Sequence, residues 1–169
     1  MAETPTWVLS LSYWLHMLAT VTSVGSLVAL VLIALPITRR TMEKEVYKKF
    51  VRSVTARLIP IGWLSLAVFI VTGLIQLSAN ENYHGFLAIE NPWAVAILLK
   101  HIIFGIVLLL VFYLAWSLNP ALERAALKRR HGSEDPDEEK LQRRGERLIT
   151  LTLILGVVIL LLTALARTS

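Results

Sequence analysis

Apolar residues along this chain gather into four blocks, residues 7–37, 58–77, 92–118 and 148–166, with charged connections between them. Each block reaches the roughly 20 residues that a helix needs to cross a hydrocarbon core about 30 Å thick. Lipid offers no partner to backbone N–H and C=O groups, so an isolated crossing segment satisfies them internally, as a helix. The pattern predicts an all-α membrane protein with one integral membrane domain, built as a four-transmembrane-helix bundle. The first and third blocks are long enough to tilt. The first reads as a span and not as a removable signal. Only Glu3 is charged ahead of Trp7, and the apolar run far exceeds the h-region of a signal peptide.

Composition agrees: 56% of the 169 residues are hydrophobic and the mean hydropathy is +0.64. The net charge of +5 would suit an anionic partner, but its placement says otherwise. Arg39, Arg40, Lys44, Lys48, Lys49, Arg52 and Arg57 fill the first connection. Arg124, Lys128, Arg129, Arg130, Lys140, Arg143, Arg144 and Arg147 fill the third, and residues 78–91 hold no Lys or Arg. Short basic loops stay in the cytoplasm, so this distribution predicts an N-out/C-out arrangement in the cell (plasma) membrane. The lipid bilayer is the expected partner, with attraction to its anionic headgroups a consequence; nucleic acid is not a partner. Trp7, Tyr83 and Trp93 are placed to mark the outer interface, and Tyr47, Trp63 and Trp116 the inner one.

Two local features qualify the picture. Val46, Tyr47, Phe50 and Val54 recur at helical spacing within residues 41–57, so this segment reads either as a surface amphipathic helix or as an extension of the second span. Residues 131–139 (HGSEDPDEE) read as a solvated loop broken by Pro136.

Candidate chemistry lies inside the apolar blocks. His16 stands nine residues beyond Trp7, and His101 eight beyond Trp93. At 1.5 Å per residue each is about 12–14 Å along its helix. The first and third spans run in the same direction, so the two imidazoles share a depth. Ionisable side chains in a membrane core are costly and mark sites by default. Small or weakly polar residues surround both: Ser12, Ala19, Thr20 and Ser23 near His16, and Ala94 and Gly105 near His101. Ser65, Thr72, Gly73 and Gln76 form a similar stripe on the second span. Such stripes let helices approach closely, or leave room for a flat macrocycle. Opposed imidazoles at one depth are the ligand pair that a b-type haem iron takes. A packing role, with each imidazole hydrogen-bonded to a neighbour, is the competing explanation. Lys100 is a cation inside the third block, and no span contains an acidic residue. It either snorkels to the headgroups or neutralises a buried anion such as a haem propionate, with Arg167 able to serve the same group.

The absence of cysteine excludes disulfides, thiolate copper sites and a CxxCH haem attachment. No Ser/His/Asp set, phosphate loop or HExxH motif occurs.

Three stretches resemble the copper resistance protein D family. They are YWLHMLATVTSVGSLVALVLIALP, with its Trp-Leu-His start and closing proline, YKKFVRSVTARLIPIGWLSLAVFIVTGLIQL, with Thr-Gly-Leu, and ILLKHIIFGIVLLLVFYLAW, with a lysine after leucines. The chain departs from that family in lacking the Trp before paired glycines, and Ser26 stands where a second glycine is expected. This resemblance implies a copper transport or resistance accessory role. The layout is also similar to the four-helix protoporphyrinogen oxidase of the HemJ type. That similarity implies a first-span histidine and third-span lysine beside a haem b, positions held by His16 and Lys100.

The sequence therefore leads to a b-type haem protein of membrane electron transport. His16 and His101 would ligate the iron, with Lys100, Arg167, Gly105 and Thr20 about the cofactor. It would act alone, as a homo-oligomer, or with other membrane subunits. Copper handling is the alternative reading, with Cu(I) poorly served by a single intramembrane thioether, Met17. A cofactor-free structural subunit is another. An enzymatic role is left open.

Overall fold

The computed structural model describes residues 4–80, 92–130 and 137–168. Tyr83, His131 and Pro136 lie outside the described residues, as do the expectations attached to them. Among the described residues six α-helices follow in order: α1 (Thr6–Val28), α2 (Leu35–Thr41), α3 (Lys44–Ser78), α4 (Pro92–Tyr113), α5 (Asn119–Arg130) and α6 (Glu138–Thr168). A π turn over Ala29–Ala34 joins α1 to α2, and another over Leu114–Leu118 joins α4 to α5. The result is four continuous rods long and apolar enough to cross a membrane.

Both π turns have the same cause. The Leu35 N–H bonds the Leu30 carbonyl five residues back, and Pro36 follows at once. The Asn119 N–H bonds the Leu114 carbonyl, and Pro120 follows. A proline ring lacks the N–H and crowds the carbonyl four residues earlier. Widening the preceding turn moves that carbonyl aside and keeps the flanking amides bonded, which matters most where lipid replaces water.

The chain is a pair of hairpins. α1 lies along α3 and α4 along α6, α1 also touches α6, and α3 meets α4 only lightly. α1 and α4 are thus diagonal and run in the same direction, with the chain termini at one end and the basic connections at the other. α6 meets α1 beside Gly156, where an added Cβ would make an ordinary contact 3.8 Å from Val24. At the basic end Leu30, Leu35, Tyr47, Val51, Leu114, Leu118 and Ile149 form the main apolar cluster, so both π turns pack into it. Leu77, Trp93, Ala96 and Ala166 form a smaller cluster at the terminal end.

Three expectations are refined. Residues 44–57 extend the second span as one unbroken helix, because Tyr47 and Val51 bury against the cluster in place of lying on a surface. Glu138 and Glu139, expected in a solvated loop, open α6. Glu138 is buried and ion-paired to Lys48 at 3.4 Å. Trp93, placed by the sequence at the interface, is only 7% exposed because Leu77 and Ala166 cover it.

Candidate functional site

The α1 face that meets α3 is set by a four-residue repeat. Ser12, His16 and Thr20 fall on one side of the helix, with Ala19 beside them. Ser12 and Ala19 are buried there. The Ser12 hydroxyl donates to the Thr72 carbonyl at 3.1 Å, and the Gln76 amide donates to the Ser12 carbonyl at 3.3 Å. His16 Nδ1 lies 2.7 Å from Thr72 Oγ1, and that hydroxyl lies 2.6 Å from the Val68 carbonyl.

These two distances fix the tautomer. A carbonyl only accepts, so the Thr72 hydroxyl spends its one hydrogen on Val68. Its oxygen therefore accepts from His16, and the imidazole proton sits on Nδ1. The Nε2 lone pair is left unprotonated, the state a metal or haem iron requires of histidine. The Phe69 ring, centred 5.0 Å from the imidazole, supports it from the side.

His101 reaches the same tautomer by a different route. Its Nδ1 lies 2.7 Å from the Ile97 carbonyl one turn back on α4. Again only the histidine can donate. Among the described residues no hydrogen bond or ring contact joins His101 to His16, and the diagonal placement of α1 and α4 keeps their backbones apart.

The remaining candidates take defined positions. Thr20 turns back to the His16 carbonyl at 2.8 Å, away from the imidazole ring. Arg167 lies over the Tyr13 ring, 5.7 Å from its centre, one turn beyond His16 toward the terminal end. Gly105 adjoins open space, since a Cβ there would meet nothing within 4 Å. Lys100 lies on α4 one turn from both Ala96 and Phe104. Spacing did not reveal Phe69 and Phe104, whose rings meet edge-on at 6.4 Å. Phe69 lies one turn from Thr72 and Phe104 one turn from Lys100, but on an apolar span such neighbours carry no distinguishing signal.

Among the described residues, no three His, Cys, Asp or Glu side chains converge as a metal site. Met17, the only thioether within a span, is 67% exposed on the lipid face. A cleft at the basic end is lined by Lys48, Arg52, Glu138, Gln142 and Glu146. Its carboxylates are already engaged, Glu138 by Lys48 and Glu146 by the Tyr47 hydroxyl at 2.9 Å and by Gln142 at 3.2 Å.

No curated protein and no solved structure matches this chain. The family profile of copper resistance protein D matches residues 52–166, from within α3 through α4 and α5 to near the end of α6. That match covers more than half of a multi-pass, four-span membrane protein, and the chain belongs to the copper resistance protein D family.

Proposed function

We propose that this protein handles copper at the cell membrane, with the imidazoles of His16 and His101 as its nitrogen donors. The observation that carries this reading is the tautomer of His16. Thr72 and Val68 together commit Nδ1 as the donor and leave the Nε2 lone pair for a ligand. Family membership supplies the cargo. Two imidazoles and no thiolate suit transit better than storage, because an ion in passage must bind weakly enough to leave. Nitrogen donors also favour copper(II) over copper(I), which prefers sulfur.

One observation favours haem b as a second reading. Both intramembrane histidines carry the proton on Nδ1, bonded to an oxygen that holds the ring, which leaves Nε2 of each as the atom that would hold a haem iron. A bound haem would supply one-electron redox chemistry, and the part played by His16 and His101 would be to hold its iron.

One preparation separates the readings. The purified protein is assayed for copper after equilibration with copper(II), and its reduced-minus-oxidised visible spectrum is recorded. Copper retained by the wild type and lost in His16→Ala and His101→Ala supports copper handling. A sharp haem spectrum lost in the same variants supports the second reading. Neither copper nor haem in the wild type overturns both.

A further inference from the structure

Lys100 poses a question that copper handling does not absorb. An ammonium within a membrane span is expensive unless paired. None of the four apolar blocks carries an acidic residue, and among the described residues Lys100 has no hydrogen-bond or ion-pair partner.

Packing register fixes where that charge lies. Toward the terminal end, Leu77 of α3 packs with Trp93 and Ala96 of α4. Toward the basic end, Phe69 of α3 meets Phe104 of α4 edge-on. Between these two contacts lie Thr72, Gly73 and Gln76 on α3. On α4, Lys100 lies one turn from Ala96 and one turn from Phe104, on the face that carries both. His16 reaches into the same level from α1, touching Thr72 and Phe69. At this level the groove between α3 and α4, with His16 on its α1 side, forms a crevice bounded by Leu77, Trp93 and Ala96 toward the terminal end and by Phe69 and Phe104 toward the basic end. The light α3–α4 contact leaves the crevice open at its side.

The crevice offers one strong donor and one acceptor. Lys100 presents an ammonium with three hydrogens, and His16 presents the Nε2 lone pair. A matching ligand carries an ionised oxygen for Lys100 and an O–H for His16. A carboxylate has the first without the second. A bare metal cation is repelled by Lys100, so copper at His16 would need an anion beside it. We infer that the crevice between α1, α3 and α4 is a binding site for a protonated oxyanion of the phosphate-monoester class, held by Lys100 and His16. The same chemistry is available from free dihydrogen phosphate and from the headgroup of phosphatidic acid. The inference goes beyond copper handling, and its test contains no metal.

The full-length protein is labelled with 15N-histidine in maltoside micelles, which contain no phosphate. The Nε2 resonance of His16 is identified by its loss in His16→Gln. Inorganic phosphate, phosphatidic acid and acetate are then added separately at constant pH and ionic strength. A saturable shift of the His16 resonance with phosphate or phosphatidic acid, and a weaker one with acetate, is the expected result. A response to inorganic phosphate alone assigns a soluble ligand, and a response to phosphatidic acid alone assigns a lipid. Lys100→Met should weaken the response by about tenfold or more, as loss of a charge-assisted bond predicts. Lys100→Arg, which keeps the charge, should stay within a few-fold of wild type. Unchanged thermal unfolding in Lys100→Met guards against a folding defect. If Lys100→Met unfolds, the comparison rests on Lys100→Arg and on acetate. No shift with either phosphate source, or an equal shift in a folded Lys100→Met protein, overturns the inference and leaves Lys100 a snorkelling residue.

Discussion

Thr72→Val isolates the bond on which the His16 assignment rests. Valine has nearly the shape of threonine, and Thr72 is 3% exposed, so packing between α1 and α3 is preserved. The Ser12 hydroxyl keeps its acceptor, which is a backbone carbonyl. What disappears is the oxygen 2.7 Å from His16 Nδ1. Interhelical hydrogen bonds in membranes average about 0.6 kcal/mol and reach about 1.7. Stranding the buried donor adds to that loss, and unsatisfied donors cost about 1–3 kcal/mol. His16 can recover part by moving its proton to Nε2, so the net destabilisation should be about 1–2 kcal/mol. For a chain of this size that lowers the melting temperature by about 3–6 °C. Thermal unfolding followed by circular dichroism reads the stability, and the 15N spectrum of the imidazole reads the tautomer. Wild type should show the proton on Nδ1, Thr72→Val a mixture or the opposite tautomer, and Thr72→Ser a state close to wild type. A wild-type proton on Nε2, or identical tautomers in Thr72→Val and Thr72→Ser, would refute the reasoning.

Other consequences follow from the basic end and from the charge pattern. Tyr47→Phe removes the donor to Glu146 at 2.9 Å, a bond to a charged acceptor on a buried ring. It should cost about 1.5–3 kcal/mol, measured as a lower midpoint of unfolding, with Glu146→Gln largely epistatic to it. At Gly145 a Cβ would lie 3.1 Å from Leu118 Cδ2, and Leu118 is 2% exposed. Gly145→Ala should be close to neutral, because helix propensity regains about 1 kcal/mol, whereas Gly145→Val should lose about 1–3 kcal/mol through overpacking. Comparing the two melting temperatures tests this, and equal values would show that Leu118 can yield. The basic connections predict that a reporter fused after Ser169 and a tag inserted at Asn82 both report the outside of the cell. A cytoplasmic signal from either would reverse the topology.

The four spans were legible in the sequence because crossing lipid demands length and apolarity, and both are local properties. The positions of His16, His101 and Lys100 along their helices follow from the sequence as well, since rise per residue is constant in a helix. Rotation about the helix axis does not. The small and weakly polar stripes on the first and second spans marked faces of those helices, but not which neighbour each face would meet. Only packing revealed that His16 turns to Thr72 on α3, that Thr20 turns back on its own helix, and that Arg167 lies over Tyr13. The same limit hid the Phe69–Phe104 contact that bounds the crevice. The prolines were visible, but their effect was not, because a proline in a helix has several ways to relieve its clash. The close packing of Leu30, Leu35, Leu114 and Leu118 accompanies the π turn in both spans. At the basic end, charge composition suggested solvated segments. The tertiary structure buried Tyr47 and Glu138 there instead, because each found a partner on another helix to satisfy its polar atom.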